Sequence, residues 1–147
     1  MVEISIAYEG QLRCKATHGP SGTSINTDAP TDNMGKGEAF SPTDLVATAL
    51  ATCMVTTMGI SAQRHNINIE GTTAKVTKEM VTAPIRRIGK LTVQIAVPTT
   101  LSEDDQRRMK HAALSCPVHK SLHADLKIPV TFFWGPDRRE ERVEPEH

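Results

Sequence analysis

The sequence predicts an α+β fold, and three observations carry that prediction. Apolar residues alternate with polar ones at the N-terminus and again in "LTVQIAV", the period of a half-buried strand. Between these stretches lies Leu45 to Gln63, a run without a charged side chain at helical spacing. A second helical stretch, "LSEDDQRRMKHAAL", comes before a last apolar run, "KIPVTFFW". The order is strands, long helix, strands, helices, strand, which points away from the regular alternation of a parallel α/β sheet.

In chain order, Val2, Ile4, Ile6 and Tyr8 define the first strand, which turns at Glu9-Gly10 into a second, "QLRCKAT". "TSINTD" is a candidate third strand, and "APTDNMGKGEAF", rich in Pro, Gly, Asn and Asp, reads as a loop. Ser41, Pro42 and Asp44 then form a helix start: an N-cap, a proline at the first helical position and the acid of a capping box. On that helix Val46, Ala49, Leu50, Cys53, Thr57 and Ile60 share one face, which places Cys53 mid-helix and facing inward. Arg64-His65-Asn66 suits its end. Strand patterns return over residues 67–80 and 86–97, joined by Thr82-Ala83-Pro84. Ser102 and Asp105 cap the second helix, and Pro117 makes Ser115 or Cys116 the cap of a third. "GPDRREERVEPEH" is nearly free of apolar residues and reads as a solvated tail. The expected organisation is one domain over residues 1–134 with a charged tail over 135–147.

The 147 residues include 17 basic and 17 acidic side chains, with the basic ones scattered, so no electrostatic footprint for nucleic acid or an anionic membrane is present. Five aromatic residues leave little material for stacking bases. The threonines of the uncharged run make it a poor membrane span and a better buried helix. The opening "MVEISIAYEG" lacks the basic start and apolar core of a signal peptide, so a cytoplasmic location is expected. A helix apolar nearly all round needs cover on several sides, and a chain of this length is expected to obtain part of it from a second subunit.

Three cysteines, Cys14, Cys53 and Cys116, are an odd number, and in a reducing compartment buried or reactive thiols are the live options. Cys53 has a bland reading as a small core residue. Cys116 lies at a helix N-terminus with His119 and Lys120 one turn away, a setting that lowers a thiol pKa, so local sequence favours it as the reactive thiol. A metal reading joins Cys116 to His119 and His123, with His111 upstream; the lack of a second cysteine nearby counts against it. Hydrolase chemistry lacks a G-x-S-x-G elbow.

"SPTDLVATALATC", followed 63 residues after its cysteine by "SCPVHKSL", resembles the paired cysteine motifs of the OsmC/Ohr family, the osmotically inducible and organic hydroperoxide resistance proteins. The order of elements from Val2 to Phe133 fits that family too. The resemblance implies an intertwined homodimer with antiparallel sheets wrapped around two central helices. It also implies a peroxidase without metal or organic cofactor. Cys53 would attack an organic hydroperoxide and become a sulfenic acid, Cys116 would resolve it as a disulfide, and a dithiol such as a dihydrolipoyl group would restore both. Well-studied members carry Glu directly after the Pro of the helix start, where this chain has Thr43. Arg13 is the positional match for the arginine that orients the thiolate, with Lys15 second to it, and Glu38 is the candidate carboxylate. Two alternatives stand beside this reading: a non-enzymatic OsmC-like protein binding a small ligand, and a His/Cys metal-binding protein. Cys14, outside both motifs, is expected to be dispensable.

Overall fold

The first three strands form a sheet of their own. In a computed structural model that describes residues 1–145, β1 (Ile4–Gly10), β2 (Arg13–His18) and β3 (Ser24–Asp28) pair antiparallel in the order β1-β2-β3. The chain separates into two compact units, Met1–Val46 and Ala47–His147, and this sheet belongs to the first. Side chains two apart share a face. One face therefore gathers Ile4, Ile6 and Tyr8 with their cross-strand partners His18, Ala16 and Cys14, and Ile25 opposite Ala16. That face is not covered: Ile4 is 56%, Ile6 65% and Tyr8 67% exposed.

The loop from residue 29 to 40 carries a short 3-10 turn at Thr31–Asn33 and returns to the sheet through a bridge between Thr27 and Phe40. The helix α1 (Pro42–His65) starts where the capping box places it. The Ser41 amide donates to Asp44 Oδ2 at 2.8 Å, and the Asp44 amide donates to Ser41 Oγ at 3.1 Å.

The second unit packs α1 from Ala47 onward with the remaining elements. The buried face of α1 is Ala47, Leu50, Ala51, Met54, Met58 and Ala62. Of the face expected from sequence only Leu50 is in it; Cys53 is half-buried at its margin and Ile60 is exposed. Both faces are apolar, so spacing alone could not choose between them. The hydroxyls in this helix turn inward on its own backbone: Thr52 Oγ1 donates to the Thr48 carbonyl at 2.7 Å and Thr57 Oγ1 to the Cys53 carbonyl at 3.1 Å.

β4 (Thr73–Val81), β5 (Arg87–Val97), β6 (Val130–Trp134) and β7 (Arg139–Val143) form the second sheet in that order. Leu91, Val93, Ile95 and Val97 of β5 are completely or almost completely buried with Phe132 of β6, as the strict alternation predicted. The sheet is not wholly antiparallel. β5 and β6 run parallel, because the chain between them crosses over through α2 (Glu103–Leu114) and α3 (Pro117–Ser121). The caps of these helices are local and follow the sequence: Ser102 Oγ accepts the Asp105 amide at 3.2 Å, and Cys116 is the cap of α3.

The tail departs from expectation. Residues Arg139–Val143 are an edge strand antiparallel to β6, and their charges are used: Lys110 of α2 bonds Glu141, Arg139 bonds Gln106, and Trp134 Nε1 donates to Glu141 at 3.0 Å. Charge in an edge strand also guards against pairing with another chain. The last two residues of the expected tail lie outside the described residues.

Candidate functional site

The two motif cysteines meet. Cys53 lies in the fourth turn of α1, half-buried against the core, while Cys116 is fully buried at the head of α3. Cys53 packs against the buried cluster that contains Cys116, near enough for the two thiols to influence each other's charge. Cys116 Sγ accepts the His119 amide at 3.3 Å, the N-cap bond that ends the turn after α2. Burial pushes the Cys116 thiol up to about 11; the His119 amide works against this, and the neighbouring Cys53 adds to it.

This overturns the local reading of Cys116 as the more reactive thiol. A helix N-terminus favours thiolate, but α3 has only five residues, and desolvation outweighs the His119 and Val118 amides. Cys116 keeps its proton.

The residues of the alternative metal reading are not brought together. His119 is buried beside Cys116, but His123 is exposed and turns to Asp125, with Nδ1 3.5 Å from Oδ2. His111, on α2, faces Ser115 Oγ at 3.5 Å. Among the described residues no group of three His, Cys, Asp or Glu side chains is placed to hold a metal ion.

In the first unit, Arg13 opens β2 opposite Asp28 at the end of β3. Its guanidinium Nη2 bonds Glu38 and lies 3.5 Å from Asp28 Oδ2. The Glu38 bond, with both carboxylates' charges, raises the Arg13 pKa, so this side chain stays a cation. Asp28 is held below the usual carboxylate range first by the Glu38 amide and then by Arg13. Lys15, two residues further on the same strand face, is exposed. Thr43 bonds the Ser41 hydroxyl at 3.1 Å and so belongs to the helix cap. Cys14, half-buried, sits across from Tyr8 and Thr27. Sequence reading missed Asp28. The signal was present in "TSINTD", whose pairing with "QLRCKAT" puts its last residue opposite Arg13, but the register depends on the turn at residues 19–23.

A pair of neighbouring thiols, one on a 24-residue helix and the other capping a short one, can be compared with known proteins. The family model for OsmC-like proteins matches residues 35–131, two thirds of the chain including both cysteines. The chain belongs to the OsmC-like family. The fold of this OsmC-like chain is similar to a crystal structure from Psychrobacter arcticus 273-4 of a protein assigned to osmotic stress induction and the detoxification response, with 47% identity, TM-score 0.85, and coverage of 90% of this chain and 96% of that one. An OsmC-like protein from Mycoplasma pneumoniae shares the fold at 20% identity, TM-score 0.78, covering 92% and 97% of the two chains. So does an organic hydroperoxide resistance protein of Bacillus subtilis, at 15% identity, TM-score 0.68, covering 90% and 97%. No curated protein sequence matches the chain.

Proposed function

We propose that this OsmC-like chain is a thiol-dependent peroxidase of organic hydroperoxides. The observation that carries the reading is the packing of Cys53 against the buried cluster that holds Cys116, where burial pushes the Cys116 thiol up to about 11. Cys53, as thiolate, attacks the terminal peroxide oxygen; the O–O bond breaks, the alcohol leaves with a proton, and Cys53 becomes a sulfenic acid. The Cys116 thiol then attacks that sulfur, releasing water and forming the Cys53–Cys116 disulfide. A dithiol, for which a dihydrolipoyl group is suited, supplies the two electrons and two protons that restore both thiols. Cys116 held as a thiol does not compete for the peroxide and attacks only once its partner is oxidised. Arg13, with Glu38, is the cation assigned to the Cys53 thiolate, and the cytoplasm is the compartment where such a reductant is available.

The working unit is read as a homodimer. Two uncovered surfaces support this: the apolar face of the β1-β2-β3 sheet, and the stripe Ala49, Thr52, Thr56 and Ile60 along α1. Exposed apolar surface of this extent marks an interface, and sedimentation is expected to show no folded monomer at micromolar concentration.

The decisive experiment treats the purified protein with one equivalent of an alkyl hydroperoxide. Two thiols per chain should disappear into a Cys53–Cys116 disulfide, Cys116→Ser should leave a sulfenic acid trapped by dimedone, and Cys14→Ser should behave as the parent. Peroxide reduction by Cys53→Ser at the parent rate would overturn the assignment. Peroxide left unreduced by the parent would favour the ligand-binding alternative.

A further inference from the structure

Asp28 is a carboxylate almost wholly removed from water, 1% exposed. Burying a charge is costly unless it is paired and hydrogen-bonded. Here one oxygen does both: Oδ2 accepts the Glu38 amide at 3.0 Å and lies 3.5 Å from Arg13 Nη2. The Asp28 amide in turn donates to the Phe40 carbonyl at 3.1 Å. The residue that precedes the loop over 29–40 thus grips its far end twice.

Within the loop the Gly35 amide donates to the Pro30 carbonyl at 3.1 Å and the Gly37 amide to the Ala29 carbonyl at 3.3 Å. A Cβ on Gly35 would fall 1.7 Å from the Ala29 oxygen, so the segment is folded as closely as backbone allows. It has the closed neck and internal packing of an Ω-loop. Glu38 and Arg13 themselves are 58% and 37% exposed, and an exposed pair alone holds a guanidinium weakly. Their fixed point is the buried carboxylate behind them.

We propose that Asp28 is the positioning residue of Arg13, acting directly on the guanidinium and through the loop that presents Glu38. The inference rests on the reading of Arg13 as the cation of the thiol chemistry. It makes a prediction of definite sign. Deleting a negative charge would by itself favour a thiolate, whereas misplacing Arg13 disfavours it. A rise in the Cys53 titration midpoint after the charge at Asp28 is lost therefore reports positioning.

The test is the rate of iodoacetamide alkylation of Cys53 against pH in full-length protein carrying Cys14→Ser and Cys116→Ser, so that Cys53 is the single thiol. Asp28→Asn keeps the volume and an acceptor for the Glu38 amide, and is expected to move the midpoint up by about one pH unit, slowing alkylation about tenfold at neutral pH. Arg13→Ala should do the same, and Asp28→Asn should add nothing in the Arg13→Ala background. Asp28→Glu, which keeps the charge, should recover part of the shift. A downward shift, no shift while Arg13→Ala shifts, or additive losses in the double variant would each overturn the proposal and leave the role of Arg13 standing. No shift in Arg13→Ala would overturn both, while the peroxidase reading is decided separately by Cys53→Ser.

Discussion

The two sheets are written in the same sequence pattern and meet different fates. In β1, Ile4, Ile6 and Tyr8 alternate with Ser5 and Ala7 and lie open; in β5, Leu91, Val93, Ile95 and Val97 alternate with polar neighbours and are buried. Alternation specifies that one face of a strand is apolar. It does not specify what covers that face. Within the second unit α1 and its neighbours supply the cover for β5; the face of β1 in the first unit stays exposed, and an exposed apolar face of a three-stranded sheet is a surface that a second copy of the chain can close. The comparison is sharpened by making the same substitution in both sheets.

Ile95→Ala should cost about 4 kcal/mol of stability, the sum of lost burial and a residual cavity in a core that cannot collapse fully. Because the contacts of Ile95 lie inside one chain, urea titrations at two protein concentrations a hundredfold apart should give the same loss. A loss below about 1 kcal/mol would mean that the core is looser than its complete burial implies.

The thiols extend the comparison. Cys116 lies in the covered region, and Cys14 is half-buried in the open one. The folded state holds the Cys116 proton up to about 11, against 9.0 for an unperturbed thiol. The native state therefore binds more protons than the unfolded chain, so the stability this group confers is complete below pH 9 and is lost as pH rises to about 11. The change is on the order of 2–3 kcal/mol. It should appear as the difference between the parent and Cys116→Ser in denaturant midpoints across that window, and parallel curves for the two would remove the argument for a buried thiol. In the native protein Cys14 should react with a bulky disulfide reagent well before Cys116.

How much of this was legible in the sequence depends on the distance over which each feature is decided. The capping pairs of Ser41 with Asp44 and of Ser102 with Asp105 are settled within four residues and are legible in the sequence, while the cap ahead of Pro117 is narrowed there to Ser115 or Cys116, of which the structure uses Cys116. The inward face of α1 was not, because Ala47, Ala51, Met54 and Met58 compete with Val46, Ala49, Cys53 and Ile60, and only the packed neighbours decide. Strand β7 was read as solvated tail because its residues are charged; the partners that use those charges, Lys110 and Gln106, lie about thirty positions earlier. Cys53 and Cys116 stand out by motif, but which one keeps its proton depends on desolvation, which no local pattern shows. Asp28 needed the register of a hairpin.

The smallest expected effect belongs to the open sheet and is the one that separates the two regions. Ile6→Ala removes three carbons from a side chain that is 65% exposed in the single chain. If that face stayed in water, the change would be within about 0.5 kcal/mol of zero, as for ordinary surface substitutions. Covered by a second copy, the same carbons are worth about 2 kcal/mol per protomer at about 0.8 kcal/mol per buried methylene. That energy enters through association, so the loss should grow as the protein is diluted. Sedimentation of Ile6→Ala should then show monomer at concentrations where the parent has none, while Ile95→Ala, at a temperature where it stays folded, sediments as the parent does. An Ile6→Ala variant as stable and as associated as the parent at every concentration would show that this face is not covered by a second copy.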